Sequence, residues 1–270
     1  MTRFLAILVL AATTMVAQSL QVESIELILE DESKAFYYPK FSPDDAKLLL
    51  TSQNYKGLWL YDMGSNAVSQ ISDFNRVGYS GRFDESGDKV LFETTTRNGL
   101  QKQVHNYEYN IAQSVQSARN SDEEVVKQAY HKDGAILLNI NSTEKLIEPL
   151  GKGNYIWVSL SPNGNELLFT YPGEGTFVSD LEGKILLELG RANSPKWSPD
   201  GNWIVYMVDE DDGHDIISSD IYATNRSGEK VKLTETDNQR EMFPMWSSDG
   251  SKIAYNTYDG KLYLIHISYN

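Results

Sequence analysis

Cysteine is absent from all 270 residues, which excludes disulfides, thiol nucleophiles, Cys-ligated metal sites and a lipid anchor on an N-terminal cysteine. Histidine is scarce: His105, His131, His214 and His266 are dispersed with no close pair, so packing or surface roles are expected and no metal site. Basic residues are outnumbered, 24 Lys and Arg against 38 Asp and Glu, for a net charge of −14. That balance argues against nucleic acid and against anionic membrane surfaces, both of which need Lys/Arg patches. A nucleophile elbow is missing as well, because the nearest string, Gly78-Tyr79-Ser80-Gly81, lacks the Gly-x-Ser-x-Gly spacing. No cofactor is expected, and the chain is expected not to be an enzyme. The long apolar run of a membrane span is also wanting. Phe4 to Ala12 is too short to cross a bilayer but suits the core of a secretory signal over residues 1–19, with small residues at Ala17 and Ser19. The expectation is a bacterial protein, periplasmic or secreted, with no membrane span after processing and residues 20–270 as a single domain.

What the sequence does have is a repeat. An aromatic or apolar residue is followed by a polar turn and an apolar run in Phe41-Ser42-Pro43-Asp44-Asp45, Phe83-Asp84-Glu85-Ser86-Gly87, Leu160-Ser161-Pro162-Asn163-Gly164, Trp197-Ser198-Pro199-Asp200-Gly201 and Trp246-Ser247-Ser248-Asp249-Gly250. Pro presets the corner, Asp bonds back to the backbone and Gly accepts positive φ, so each copy predicts a tight hairpin between short strands. The last copies continue into third strands, Asp220–Ala223 and Lys261–Ile265, and a turn at Asn225–Gly228 leads to a fourth over Glu229–Thr234. Four antiparallel strands per repeat make the blade of a β-propeller, and self-similarity at this period is the mark of such folds.

These residues carry a resemblance. Leu233-Thr234 followed by Phe243-Pro244-Met245-Trp246-Ser247-Ser248-Asp249-Gly250 resembles the WD-like repeat of the TolB-type propellers, which also occurs in relatives of prolyl oligopeptidase and in oligogalacturonate lyases. The resemblance implies an all-β propeller and names no activity. It implies a binding role in the bacterial envelope, with a Tol-Pal-like assembly as the family-level expectation. The separate α/β domain of TolB has no counterpart here. Nor does the hydrolase domain of the oligopeptidase relatives, or the histidine cluster of the lyases.

Spacing sets the blade count. Phe41 to Phe83 is 42 residues, Leu160 to Trp197 is 37 and Trp197 to Trp246 is 49, whereas Phe83 to Leu160 is 77 and must hold two repeats. The hidden copy is read as Val125–Tyr130, a turn at His131–Gly134 and Ala135–Ile140, giving six four-stranded blades. A five-bladed ring with a polar insertion over 112–134 is the alternative. The last blade stops a strand short, and Ser24–Glu30 alternates charged and apolar residues without a hairpin partner. It is expected to pair onto that blade and close the ring, with Ile25, Leu27 and Leu29 as its apolar face.

For function, the loops entering the first strand of each blade are the natural docking face. They carry Tyr38, Tyr79, Tyr155, Trp157, Arg240 and Phe243, side chains of the kind enriched in binding hot spots, and these are the candidate binding residues. The bland alternative is that Tyr38, Trp157 and Phe243 only plug the channel. The acidic string Asp209–Asp215 fits a solvated hairpin, and its spacing fails the calcium-loop pattern. The expected protein is a monomeric, non-catalytic binding or scaffold propeller that recognises an envelope protein or peptide at the channel face. The competing expectation is a metal-assisted polysaccharide lyase or hydrolase acting in the channel.

Overall fold

The computed structural model describes residues 19–98, 101–119, 127–236 and 239–270. The apolar N-terminal segment read as a secretory signal, and Val125 and Val126 of the hidden repeat, lie outside them. Among the described residues there is no α-helix and no helix long and apolar enough to cross a membrane. Strand β1 (Leu20–Leu29) leads into blade one, built from β2 (Tyr37–Phe41), β3 (Lys47–Thr51), β4 (Leu58–Asp62) and β5 (Ala67–Ser72). Blade two has β6 (Arg82–Phe83), β7 (Lys89–Asn98), β8 (Gln101–Asn110) and β9 (Val115–Ala118), and blade three has β10 (Lys127–Lys132), β11 (Ala135–Ile140) and β12 (Thr143–Ile147). Blade four comprises β13 (Ile156–Leu160), β14 (Glu166–Tyr171), β15 (Gly175–Asp180) and β16 (Ile185–Gly190). Blade five comprises β17 (Asn193–Trp197), β18 (Trp203–Asp211), β19 (Ile216–Asn225) and β20 (Lys230–Lys232). Blade six is β21 (Glu241–Trp246), β22 (Lys252–Thr257) and β23 (Leu262–Tyr269), completed by β1 on its outer edge.

The protein is therefore a six-bladed, all-β propeller, and the strands formed by 127–147 dispose of the five-bladed alternative. One detail departs from expectation. Blade three shows three strands among the described residues, where four were expected; its second strand is buried, but β12 has four exposed residues and no outer partner.

The repeated turn explains itself at atomic level. In four blades the Ser hydroxyl donates to the carboxylate or amide oxygen two residues on, at 2.6 Å for Ser42–Asp44, 2.8 Å for Ser161–Asn163, 2.5 Å for Ser198–Asp200 and 2.7 Å for Ser247–Asp249. The same hydroxyl accepts the backbone N–H that opens the next strand, as in Trp203 N to Ser198 Oγ at 2.9 Å and Lys252 N to Ser247 Oγ at 2.9 Å. Blade two substitutes Asp84 for the serine and keeps the bond to Lys89 N at 3.0 Å. Burial raises the Asp249 carboxyl, but bonds from Ser251 N, the Ser247 hydroxyl and the Ser251 hydroxyl outweigh it and hold the group down at about 2.

The apolar runs after each turn are continuous because both faces of a blade are covered. Leu48 and Leu50 pack toward blade six with Ala254 and Leu264, while Leu49 between them packs toward blade two with Val90 and Phe92. Ile204 and Tyr206 likewise face blade four, and Val205 and Met207 face blade six with Trp246 and Tyr255. Period two places alternate residues in different seams, so no position is left for a polar residue.

Closure follows the expected pairing but not the expected face. β1 runs antiparallel to β23 from Leu20 opposite Tyr269 to Leu29 opposite Leu262. Beyond it, Ser19 N donates to Asn270 O at 3.0 Å and Asn270 N to Ser19 O at 3.1 Å. Ile25 and Leu27, however, are 43% and 44% exposed, because an outermost strand has no neighbour on its far side. The apolar anchors are Leu20, fully buried, and Ile28 and Leu29, half-buried against blade one.

Candidate functional site at the channel mouth

The inner strands β2, β13, β17 and β21 share a kink near their start. Each ladder skips between Tyr37 and Lys40, Ile156 and Ser159, Asn193 and Lys196, and Met242 and Met245. Within each skip one residue is left-handed: Tyr38 (φ 56°), Trp157 (φ 51°), Ser194 (φ 50°) and Phe243 (φ 56°). Tyr38, Ser194 and Phe243 each precede a proline, where the chain prefers extended geometry, so the conformation is doubly unfavourable. It is held in place by contacts such as Tyr38 N to the buried Asn256 Oδ1 at 3.0 Å and Phe243 N to Met207 Sδ at 3.4 Å. The kink turns these side chains toward the channel mouth.

Two connecting turns complete the mouth. Gln53–Tyr55 and Val77–Tyr79 are single 3-10 turns, and Asn54, Tyr55 and Arg76 are again left-handed, at φ 60°, 58° and 62°. Non-glycine residues in this region each cost about 1–3 kcal/mol and cluster where the surrounding structure fixes a working geometry. The product is a row of rings. Phe243 lies 4.1 Å from Tyr38, Tyr38 stacks on Tyr55 at 4.3 Å, and Tyr55 stacks on Tyr79 at 3.6 Å.

The row borders an open cavity of about 730 Å³, lined also by Tyr37, Lys56, Arg76 and Tyr258. Below it a second cavity of about 570 Å³ shares Tyr38, Tyr55, Tyr79, Met242 and Phe243 and extends down the channel to Lys40 and Lys196. The aromatics therefore line both cavities. Burial, followed by the bond and charge of the neighbouring Tyr55, pushes the Tyr38 phenol far up, so it stays a neutral donor. Burial together with the nearby charge of Lys196 brings Lys40 down to about 8, and burial lowers Lys196. Lys40 Nζ donates to Gly81 O at 2.6 Å; this is possible because Gly78 lets blade two approach, since a Cβ there would collide with the Thr51 side chain.

Of the residues read from the sequence, Tyr38, Tyr79, Trp157 and Phe243 line these cavities. Arg240 stands beside them, its guanidinium 3.9 Å over the Tyr258 ring and bonded to Ile216 O at 2.8 Å. Tyr155 is placed elsewhere. It is buried between blades three and four, where its hydroxyl donates to Gly151 O at 2.6 Å and accepts Leu150 N at 3.1 Å, so it holds a loop and lines neither of these two cavities. Sequence reasoning missed Tyr55, Lys40 and Lys196. The lysines had a signal, since each directly precedes the ring that opens a hairpin, the position that borders the channel.

The acidic string of blade five is tied up in structure. Asp209 accepts from Asn193 Nδ2 at 2.8 Å and Ser219 Oγ at 2.7 Å, Asp211 pairs with Arg191 at 2.6 Å, and Asp212 caps the turn through His214 N and Asp215 N. Among the described residues, no three His, Asp or Glu are grouped to hold a metal ion.

No protein-family model matches the chain, and no curated protein matches it. Solved structures do. The Cps50 (Swd1) β-propeller domain from Myceliophteria thermophila aligns with a TM-score of 0.60 at 11% identity over 91% of this chain and all of that one. An oligogalacturonate lyase in complex with manganese aligns at 0.49 and 12% identity over 89% of this chain and 79% of its own. TolB from Acinetobacter baumannii aligns at 0.36 and 15% identity over 90% of this chain and 58% of its own. At these identities the likeness is one of fold. It supports the β-propeller and leaves the TolB-type resemblance without further backing.

Proposed function

We propose that the chain is a non-catalytic binding module, exported by a bacterial cell and working as a monomer in the periplasm or outside. Its partner is an envelope protein or peptide that docks on the channel mouth. The observation that carries this is the ring row at one opening, set among seven left-handed non-glycine positions and bordering an open cavity. Tyr79 and Tyr258 are 62% and 53% exposed there, an arrangement that burial by a partner would stabilise. The residues lining the two cavities include no His, Asp or Glu, which favours binding over a metal-assisted lyase or hydrolase.

The test replaces Tyr55 and Tyr79 together by Ala. Both stand on connecting turns outside the blade cores, so the variant should fold. A partner captured from envelope extract by the unmodified protein, identified, purified and rebound, should lose binding to the double variant. Undiminished binding, or turnover of an oligosaccharide by the unmodified protein, would overturn the reading.

A further inference from the structure

A chain of net charge −14 has carboxylates to spare, and its surface cations use them: Lys89 pairs with Glu108, Lys232 with Asp220 and Lys261 with Glu30. The channel mouth breaks this pattern. Lys56 and Arg76 border the outer cavity and Lys40 and Lys196 the inner one, yet no carboxylate lines either among the described residues. Lys40 spends one donor on Gly81 O and has a longer contact of 3.5 Å to Gly78 O. Lys196 has no ion pair and no side-chain hydrogen bond among the described residues. Two ammonium groups in one low-dielectric cavity without a counter-charge are costly, and their lowered proton affinities express that cost. An anion between them would remove it.

The walls say which anion. Pro39, Met207, Ile216, Met242, Pro244 and Met245 make the inner cavity largely apolar, and no arginine is among its lining residues. A phosphate dianion would lose more hydration there than two lysines return, whereas a carboxylate is singly charged and suits two point donors. We propose that the inner cavity is a carboxylate site, with the ligand's carboxylate between Lys40 and Lys196 and its ring or apolar body against Tyr38, Trp157 and Phe243. This rests on the channel mouth being the docking face, and it adds the chemistry that face selects.

The probe is 4-hydroxyphenylacetate, compared with its neutral amide and with inorganic phosphate, titrated into the intact protein by NMR at constant ionic strength. The acid should bind, and the amide should bind at least about tenfold more weakly, the scale of a charge-assisted bond. Lys40→Met and Lys196→Met should each weaken the acid by a similar factor and leave the amide unchanged. The bound acid should also move the Lys40 titration upward from about 8, and Lys196, Tyr38, Tyr55 and Tyr79 share that cavity and are to be followed with it. Equal affinity for acid and amide, no binding of the acid, tighter binding of phosphate, or indifference to both lysine substitutions would each overturn the carboxylate site. The envelope partner separates the two claims. Capture that survives Lys40→Met and Lys196→Met but is lost without the rings overturns the carboxylate site and leaves the docking face standing, while capture that survives ring removal overturns the docking face.

Discussion

Removing the closing strand is the perturbation that tests the architecture most directly. A chain beginning at Lys34 lacks β1 and leaves the apolar edge of β23 unpaired. The magnitude comes from the buried anchors: Leu20 is 3% exposed and Ile28 and Leu29 are half-buried, while Ile25 and Leu27 face solvent. A fully buried leucine is worth about 1.5–3 kcal/mol, and with the ladder bonds taken to offset the entropy of ordering the strand, the net loss is roughly 3–5 kcal/mol. Tyr61 also loses the Ile28 carbonyl that its hydroxyl reaches at 3.0 Å. For a domain of this size about 2–4 °C is lost per kcal/mol, so Tm should fall by roughly 6–20 °C relative to a chain beginning at Leu20. Calorimetry gives the shift, and size-exclusion chromatography reports the aggregation expected of a bare edge. Point variants sharpen the test: Leu20→Ala should cost about 2–5 kcal/mol and Leu27→Ala almost nothing. Equal melting of the two chains, or a larger effect at Leu27 than at Leu20, would refute the closure as described.

Three further outcomes are expected. Lys40→Met should raise stability at neutral pH by on the order of 2–3 kcal/mol, because a lysine held at about 8 against an ordinary 10.5 opposes folding when charged; between pH 8 and 10.5 the unfolded lysine alone keeps its proton, so the original protein gains stability and the difference in denaturant midpoint should close. Glu241 is fully buried with one carboxylate oxygen lacking a partner, and burial raises its pKa, so Glu241→Gln should be stabilising at pH 7 and the gain should fade as pH drops toward 4.5; a gain that grows in acid would contradict the assignment. Gly260→Ala should cost on the order of 3 kcal/mol or more by urea unfolding, since φ is +83° and a Cβ would sit 2.8 Å from Phe36 N and collide with Ala35.

The fold was legible because one interaction recurs. A serine that bonds both its Asp or Asn partner and the next strand's N–H must be spelled the same way in each blade, and Ser42, Ser161, Ser198 and Ser247 do so. The hidden third blade has no such serine; the 77-residue gap between Phe83 and Leu160 revealed it, and the structure buries its run from Ala135 to Leu138. The site was half legible. Tyr38, Tyr79, Trp157 and Phe243 could be placed from their distance to the repeat, but Tyr155, two residues from Trp157, points into a seam instead of the channel. Alternation along a strand decides this, and the bulge that resets it leaves no mark in the sequence. Tyr55 was missed because its ring reaches the mouth through two consecutive left-handed residues that nothing in Gln53-Asn54-Tyr55 announces. The apolar face of β1 was misjudged because period two shows that one face differs from the other, not that either is covered.

The bonds between Ser19 and Asn270 have a kinetic meaning. Blade six pairs β1 with β23, so it cannot be completed until β23 has been made. The edge of β23 waits for a strand synthesised some 240 positions earlier, and every blade between must already be in sequence for the two to meet. Assembly of this ring therefore ends with its longest-range contact, a loop closure whose entropy grows only with the logarithm of the intervening length but whose encounter is slow. Until that encounter the nascent molecule is an open arc with two bare edges.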